Sequence, residues 1–516
     1  MNSGRLFINT NFQSEGDMAD KVSIIGAGIA GLSAGCYLQM NGYETEIYEL
    51  NSVPGGLCCA WKRNDFTIEG CVHWLVGSSP RDNFYHLWNE LLDMKKLQFV
   101  DPDIYMRIED AEGGSITVYT NIDKFEREML KNGPEDMNLI KDFTDAVRKF
   151  TSFKMPLDKA PELYDVMDTG KLLVSMSPYL MAAKKWLKMT AAEYSAKFKN
   201  PLLRKTFEHL FLPEMSVFFL VMTLAWMHNR SAGYPVGGSY KFARLIEKRY
   251  KDLGGKISYD SKVAKIITEK GAATGLVLDD GKKVLSDTVI SAADGYYTIF
   301  KMLEGKYIDN KLKKMYDDCK IFPSYVQVSL GVNREFAEAP SVVLFPVKKP
   351  LIVDKTAVFN DVSFRIFNFD PTLSPKKSTL ITCTLPTYDY EHWVNLKKSD
   401  RTTYSAEKSR IANQVAEAFE SRFGEIKTKI KMVDVSTPAT VIRYTNNWKG
   451  SLEGWLLTPE VGLKQLPGAL PGLKNFYMAG QWVTPGGGLP TALLSGRNTA
   501  QVICKKDGKK FSTKSF

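Results

Sequence analysis

Residues 21–50, KVSIIGAGIAGLSAGCYLQMNGYETEIYEL, constrain the fold more than any other stretch of this chain. Residues 22–25 are mostly apolar and β-branched, as expected for a buried parallel strand. Gly26, Gly28 and Gly31 then form GxGxxG, and a helix is expected to run to about Met40. Residues 45–48 read as a second strand that delivers Glu49. Each glycine has a physical task. Gly26 permits a tight turn, Gly28 lets a pyrophosphate approach the backbone, and Gly31 lets the helix pack on the strand. The helix N-terminus, with Ile29 and Ala30 in its first turn, would face the phosphates. Glu49 is placed to accept hydrogen bonds from an unphosphorylated ribose. Strand, glycines, helix, strand and acid fall in the order of a dinucleotide site, and the motif alone does not choose between NAD and FAD.

Two further blocks narrow that choice. Gly55 and Gly56, followed by Leu57, place bare backbone close to the nucleotide turn. Residues 61–70, WKRNDFTIEG, read as a small hairpin ending in an acid and a glycine. Near the far end, residues 475–479 read as a strand. Gly480 follows, then TPGGGLP over 484–490, then a helical segment over 492–504. The first block resembles the FAD-dependent amine oxidase and phytoene desaturase superfamily. The second resembles the carboxyl-terminal flavin motif of carotenoid desaturases, carotenoid isomerases and retinol saturase. The resemblance implies FAD, held by Gly26, Gly28, Ile29, Ala30, Gly31, Glu49, Gly55, Gly56, Leu57, Gly480, Gly488, Leu489 and Pro490. It places Val263 against the adenine, and a helix N-terminus near Thr491 against the negative charge of reduced flavin. The family usually carries Arg or Ser where this chain has Leu57, and Asp where it has Glu69.

The implied fold class is α/β: a Rossmann-like FAD-binding domain with an inserted α+β substrate domain. The expected layout is a polar extension over 1–20, a discontinuous FAD domain over 21–100, 231–300 and 442–505, a substrate domain over 101–230 and 301–441, and a basic tail over 506–516. A chain of 516 residues accommodates such a layout. No uninterrupted apolar run reaches the ~18 residues of a spanning helix. No basic segment precedes an apolar run at the amino terminus, so no secretory signal is expected. Seven scattered cysteines without a CxxC pair argue against a disulfide framework or a zinc site, and no metal is expected. Cys58 and Cys59 read as small packing residues, with a redox role near flavin as the alternative. The net charge of +10 comes largely from dispersed lysine pairs, which suit solvated surface or an anionic membrane better than nucleic acid. The expected location is cytoplasmic, peripheral on the inner membrane face.

Two apolar stretches lie in the insert. Residues 170–189, GKLLVSMSPYLMAAKKWLKM, mix apolar and basic side chains, and Pro178 is expected to split or kink them. Residues 215–227, MSVFFLVMTLAWM, fit a core helix, the wall of a tunnel for a long apolar substrate, or a segment dipping into one leaflet. The implied chemistry is hydride exchange with carbon of an isoprenoid or polyene by a desaturase, saturase or isomerase. Such a site needs few polar catalytic groups, and no acid/base dyad is visible. His73, close after the hairpin, is the candidate proton carrier. No second dinucleotide motif is present, so electrons would pass to or from a quinone, oxygen or another carrier. Two readings compete: a flavin amine oxidase, and a prenyl-lipid binding protein like the Rab escort and GDP-dissociation inhibitor proteins.

Overall fold

The computed structural model describes residues 20–462, 466 and 468–516. The extension expected over 1–20 lies, except for Asp20, outside the described residues. Strands Lys256–Ser258, Glu44–Tyr48, Lys21–Ile25, Thr288–Ser291 and Phe476–Met478 form one sheet in that order, all parallel. Val22, Ile24, Ile47 and Ile290 have no exposed surface, which accounts for the continuous apolar reading of these strands.

Helix Ile29–Met40 leaves the first strand through the glycine turn and packs on helix Leu489–Lys506. A Cβ on Gly496 would stand 2.5 Å from the Ala30 carbonyl oxygen, so the two helices touch through backbone. Ser33 Oγ donates to the Leu493 carbonyl at 2.8 Å, across 460 residues of sequence. These contacts bring the two glycine motifs to one edge of the sheet. The carboxyl-terminal helix starts at Leu489, earlier than the expected Ala492, because Pro490 is tolerated in a first turn that needs no N–H.

Gly35 shows how closely this layer is packed. Its Cβ would lie 2.6 Å from Tyr250 Cε2, and the Tyr250 hydroxyl is fixed by the carbonyls of Thr45 and Lys256. Gly35→Ala gains helix propensity but overpacks a ring that cannot retreat. We expect a net loss of about 1–3 kcal/mol, read as a lower urea midpoint at unchanged slope.

The second sheet has seven strands in the order Ile430–Ser436, Ser324–Val332, Thr379–Thr387, Ala357–Ile366, Val342–Asp354, Ile104–Glu109 and Ser115–Tyr119. Strands from both inserted segments thus share one sheet. Its register pairs Gln327 with Thr384 and Arg365 with Thr382. Because side chains alternate, Tyr325, Gln327, Thr384 and Arg365 share one face. Val326, Val328, Phe364 and Cys383 point the other way into a core closed by Phe419.

A helical block covers the other insert, with Phe143, Trp186, Tyr194, Phe198 and Phe207 at its centre. Here the split expected at one proline does not occur. Pro178 neither splits nor ends its segment, and Val166–Leu187 is one helix. Proline removes the N–H that would bond to the Val174 carbonyl. Ser177 Oγ donates to that same carbonyl at 2.9 Å and satisfies it. Helix Val217–His228 is buried on nearly every side, which fits the core and tunnel-wall readings of 215–227 and not insertion into a leaflet.

Candidate flavin and substrate cavity

A cavity of about 630 Å³ opens where the two glycine motifs meet. Gly26, Gly28, Ile29, Ala30, Glu49, Gly55, Gly56, Leu57, His73, Val263, Gly480, Gly488, Leu489 and Pro490 all line it. Gly31 does not. It lies beneath the turn, where a Cβ would strike the Gly26 carbonyl oxygen and approach Ala292 Cβ at 3.2 Å, so its part is helix packing. Gly28 caps the helix with φ −69° and ψ 173°, ordinary extended backbone. The nearest atom to a Cβ there would be the Gly55 oxygen at 4.0 Å. Nothing in the protein requires Gly28 to be bare, and the space beside it belongs to the cavity.

Glu49 accepts the Ala27 N–H at 2.6 Å and the Asn51 N–H at 2.9 Å. Burial raises its pKa, and these hydrogen bonds oppose the rise. The carboxylate stands at the cavity wall beside the first strand's end. Across the cavity, Gly480 has φ +106° and donates to Ser495 Oγ at 2.6 Å, while Gly488 begins the carboxyl-terminal helix. Bare glycine turns at both helix starts fit a dinucleotide with a flat ring at its far end.

The rest of the wall is apolar. Phe150, Phe153, Met176, Phe218, Met222 and Trp226 come from the helical block, and Gln327 and Thr384 from the face of the second sheet. His73 and Trp74 also border it. His73 is exposed to the cavity, and desolvation there, with Arg365 nearby, holds its imidazole well below the ordinary pKa, so it is neutral near pH 7. Burial pushes the Cys59 thiol up to about 12, and a hydrogen bond with Cys58 together with burial raises Cys71 well above its ordinary range, so both stay protonated.

Two carboxyls at the wall titrate near neutrality. Asp294 is raised to about 7 by burial, but accepts N–H bonds from Tyr297 and Trp448 and so holds local backbone. Glu453 is also raised to about 7, by desolvation alone. Among the described residues it makes no hydrogen bond and no ion pair. It sits against the 486–488 turn, where a Cβ on Gly487 would be 2.5 Å from Glu453 Oε2. Sequence reasoning missed this acid, since SLEGW carries no motif.

A glycine turn with an acid beside it and a second glycine turn line one cavity, the arrangement expected of a flavoprotein. Residues 29–504 match the family described as flavin containing amine oxidoreductase. The chain belongs to that family. This flavoprotein is an FAD-dependent oxidoreductase with an α/β Rossmann-like fold. It is 24% identical over 496 residues to prolycopene isomerase 1, chloroplastic, of an Oncidium hybrid cultivar, covering 92% of this chain and 82% of that protein. It is 23% identical over 514 residues to a 4,4′-diapophytoene desaturase of Methylomonas, covering 95% and 96%. Cyclohexylamine oxidase from Brevibacterium oxydans shares the fold with a TM-score of 0.60 at 13% identity, covering 95% of this chain and all of that one, 100%.

Proposed function

We propose that this flavoprotein adds, removes or rearranges hydrogen across carbon–carbon bonds of a long apolar polyene or isoprenoid. The observation that carries the reading is the continuity of one cavity from the glycine turns into a wall of aromatic and Met side chains. The named relatives, an isomerase of prolycopene and a desaturase of diapophytoene, fit the same class of substrate. Bound FAD supplies the two-electron donor or acceptor.

In this reading the glycine turns would hold the pyrophosphate and the flavin edge, Glu49 the ribose, and Val263 the adenine. The aromatic and Met wall orients an extended chain and excludes water. Glu453 handles the proton: its carboxylate takes one from the substrate carbon during desaturation, and its acid form returns one during saturation. A pKa near the working pH serves both directions. His73 is a neutral imidazole beside the substrate path and enters the proposal as a hydrogen-bonding partner. An amine substrate is less well served. The lysine that lines this cavity, Lys262, stands beside Val263 with Nζ 3.4 Å from Asp279.

A substrate of this kind resides in lipid, and helix Val166–Leu187 offers the contact. Met176 and Ala183 on this helix line the cavity, while Val174 and Met181 are 76% and 84% exposed, with Leu173 beside them. Lys171 and Lys184 lie on the same helix. Among the described residues no helix is long and apolar enough to cross a membrane. We propose that this helix rests on an anionic lipid surface and that the substrate enters beside it. The protein should float with phosphatidylserine-containing liposomes. Replacing Leu173, Val174 and Met181 together with serine should abolish flotation at unchanged melting temperature. The wild type should also draw a polyene out of liposomes into detergent-free solution. Failure to acquire the polyene chromophore would remove the substrate reading.

A further inference from the structure

Beyond His73 and Trp74 lies a second, smaller chamber of about 110 Å³, and both residues border it and the main cavity. Its walls include Tyr105, Tyr234, Phe369 and Arg365. Arg365 reaches it because the sheet register sets this residue on the same face as Gln327 and Thr384. Among the described residues its guanidinium makes no hydrogen bond and no ion pair, and burial lowers its pKa. Tyr105 stands beside it. Its hydroxyl likewise has no hydrogen-bond partner among the described residues, and burial pushes it up to about 12, so it keeps its proton. The neutral His73 has none either.

A half-buried guanidinium without a partner, with a phenol and an imidazole around it, describes half of an anion site. Two of the acids nearby are otherwise engaged. Glu69 acts on Arg365 through space, but its carboxylate is occupied by the N–H groups of Cys71, Val72 and Ser239 and by the Ser239 hydroxyl. Asp370 accepts from Tyr234 and from the Gly237 N–H. Asp101 lies at the exposed end of the chamber wall, where burial raises its pKa and Arg230 opposes the rise.

We propose that this chamber binds a carboxylate at one end of an otherwise apolar ligand, with Arg365 and the Tyr105 hydroxyl donating to its oxygens. The inference rests on the reading of the main cavity as an apolar substrate site. The chamber is the polar end of that path, reached past Trp74. One guanidinium balances one carboxylate, whereas a phosphate dianion would leave charge uncompensated in a desolvated place. The substrate class this selects is an unsaturated acid, and its polyene body would lie in the main cavity.

The test uses the flavin-loaded protein with cis-parinaric acid and its methyl ester, whose fluorescence rises in apolar surroundings. Wild type should bind the acid about tenfold or more tightly than the ester at a pH where the acid is ionised. Arg365→Met should remove that preference and leave ester binding unchanged. Equal binding of acid and ester by wild type would overturn the carboxylate site and leave the apolar cavity standing. So would an acid preference that survives in Arg365→Met. Binding of neither probe would contradict the apolar cavity and the carboxylate site together.

Discussion

Replacing Gly28 with valine is expected to give a folded, colourless protein. The backbone there is ordinary extended chain that valine adopts, and the first Cβ contact is the Gly55 oxygen at 4.0 Å, so the apoprotein loses only the N-cap preference for glycine. The added methyl groups instead fill the space proposed for the pyrophosphate. We expect flavin affinity to fall by about 100-fold or more, equivalent to about 2.7 kcal/mol. The measurement is released flavin per mole of protein, with the melting temperature of the apoprotein as the control. A yellow Gly28→Val protein would show that the pyrophosphate does not lie over this turn. Gly31 makes the contrast: its alanine variant should fail through the collision with the Gly26 carbonyl, flavin or no flavin.

Glu453→Gln is expected to keep its flavin and lose turnover by about 10²–10⁴-fold, the usual weight of a positioned acid or base. The pH dependence carries the sign. In desaturation the carboxylate is the active form, so the wild-type rate should rise through a pH of about 7. In saturation the acid is the active form, and the rate should fall through the same value. A second readout needs no substrate. The pKa of Glu453 is raised on folding, from 4.5 to about 7, so the folded state binds its proton more tightly than the unfolded chain. Its contribution is therefore fully present below pH 4.5 and is lost as pH rises to about 7. Wild type should lose stability across that window relative to Glu453→Gln. Equal turnover in the variant, or parallel stability profiles, would remove Glu453 from the reaction.

What the sequence discloses here follows from what residue identity can encode. The flavin half was legible because its geometry demands glycine: Gly26, Gly55, Gly56, Gly480 and Gly488 all have positive φ, which other residues rarely adopt. Glu49 was legible from its place at the end of a strand. Gly31 was legible as a packing residue, although it faces no cavity. Pro178 misled because the expected break considers the proline alone, and the repair comes from the hydroxyl one residue earlier.

The substrate half was hidden for a different reason. Strand Ser324–Val332 is buried at every position, so its polar and apolar residues mark no face, and only pairing with Thr379–Thr387 puts Gln327 on the cavity. Glu453 and Arg365 are single members of sets of 58 acidic and 68 basic residues, and nothing local marks either as desolvated. Their chemistry arises from what the fold withholds from them, a partner, which no sequence window displays.

The most direct test of the central claim is anaerobic incubation of the flavin-loaded protein, once oxidised and once reduced with dithionite, with polyenes and separately with primary amines. Polyene products are resolved by chromatography while the flavin spectrum is followed. The account predicts a change in conjugation or double-bond geometry of a polyene that depends on bound flavin, and no bleaching of the oxidised flavin by amines. Bleaching by an amine, with every polyene recovered unchanged in both redox states, would contradict it.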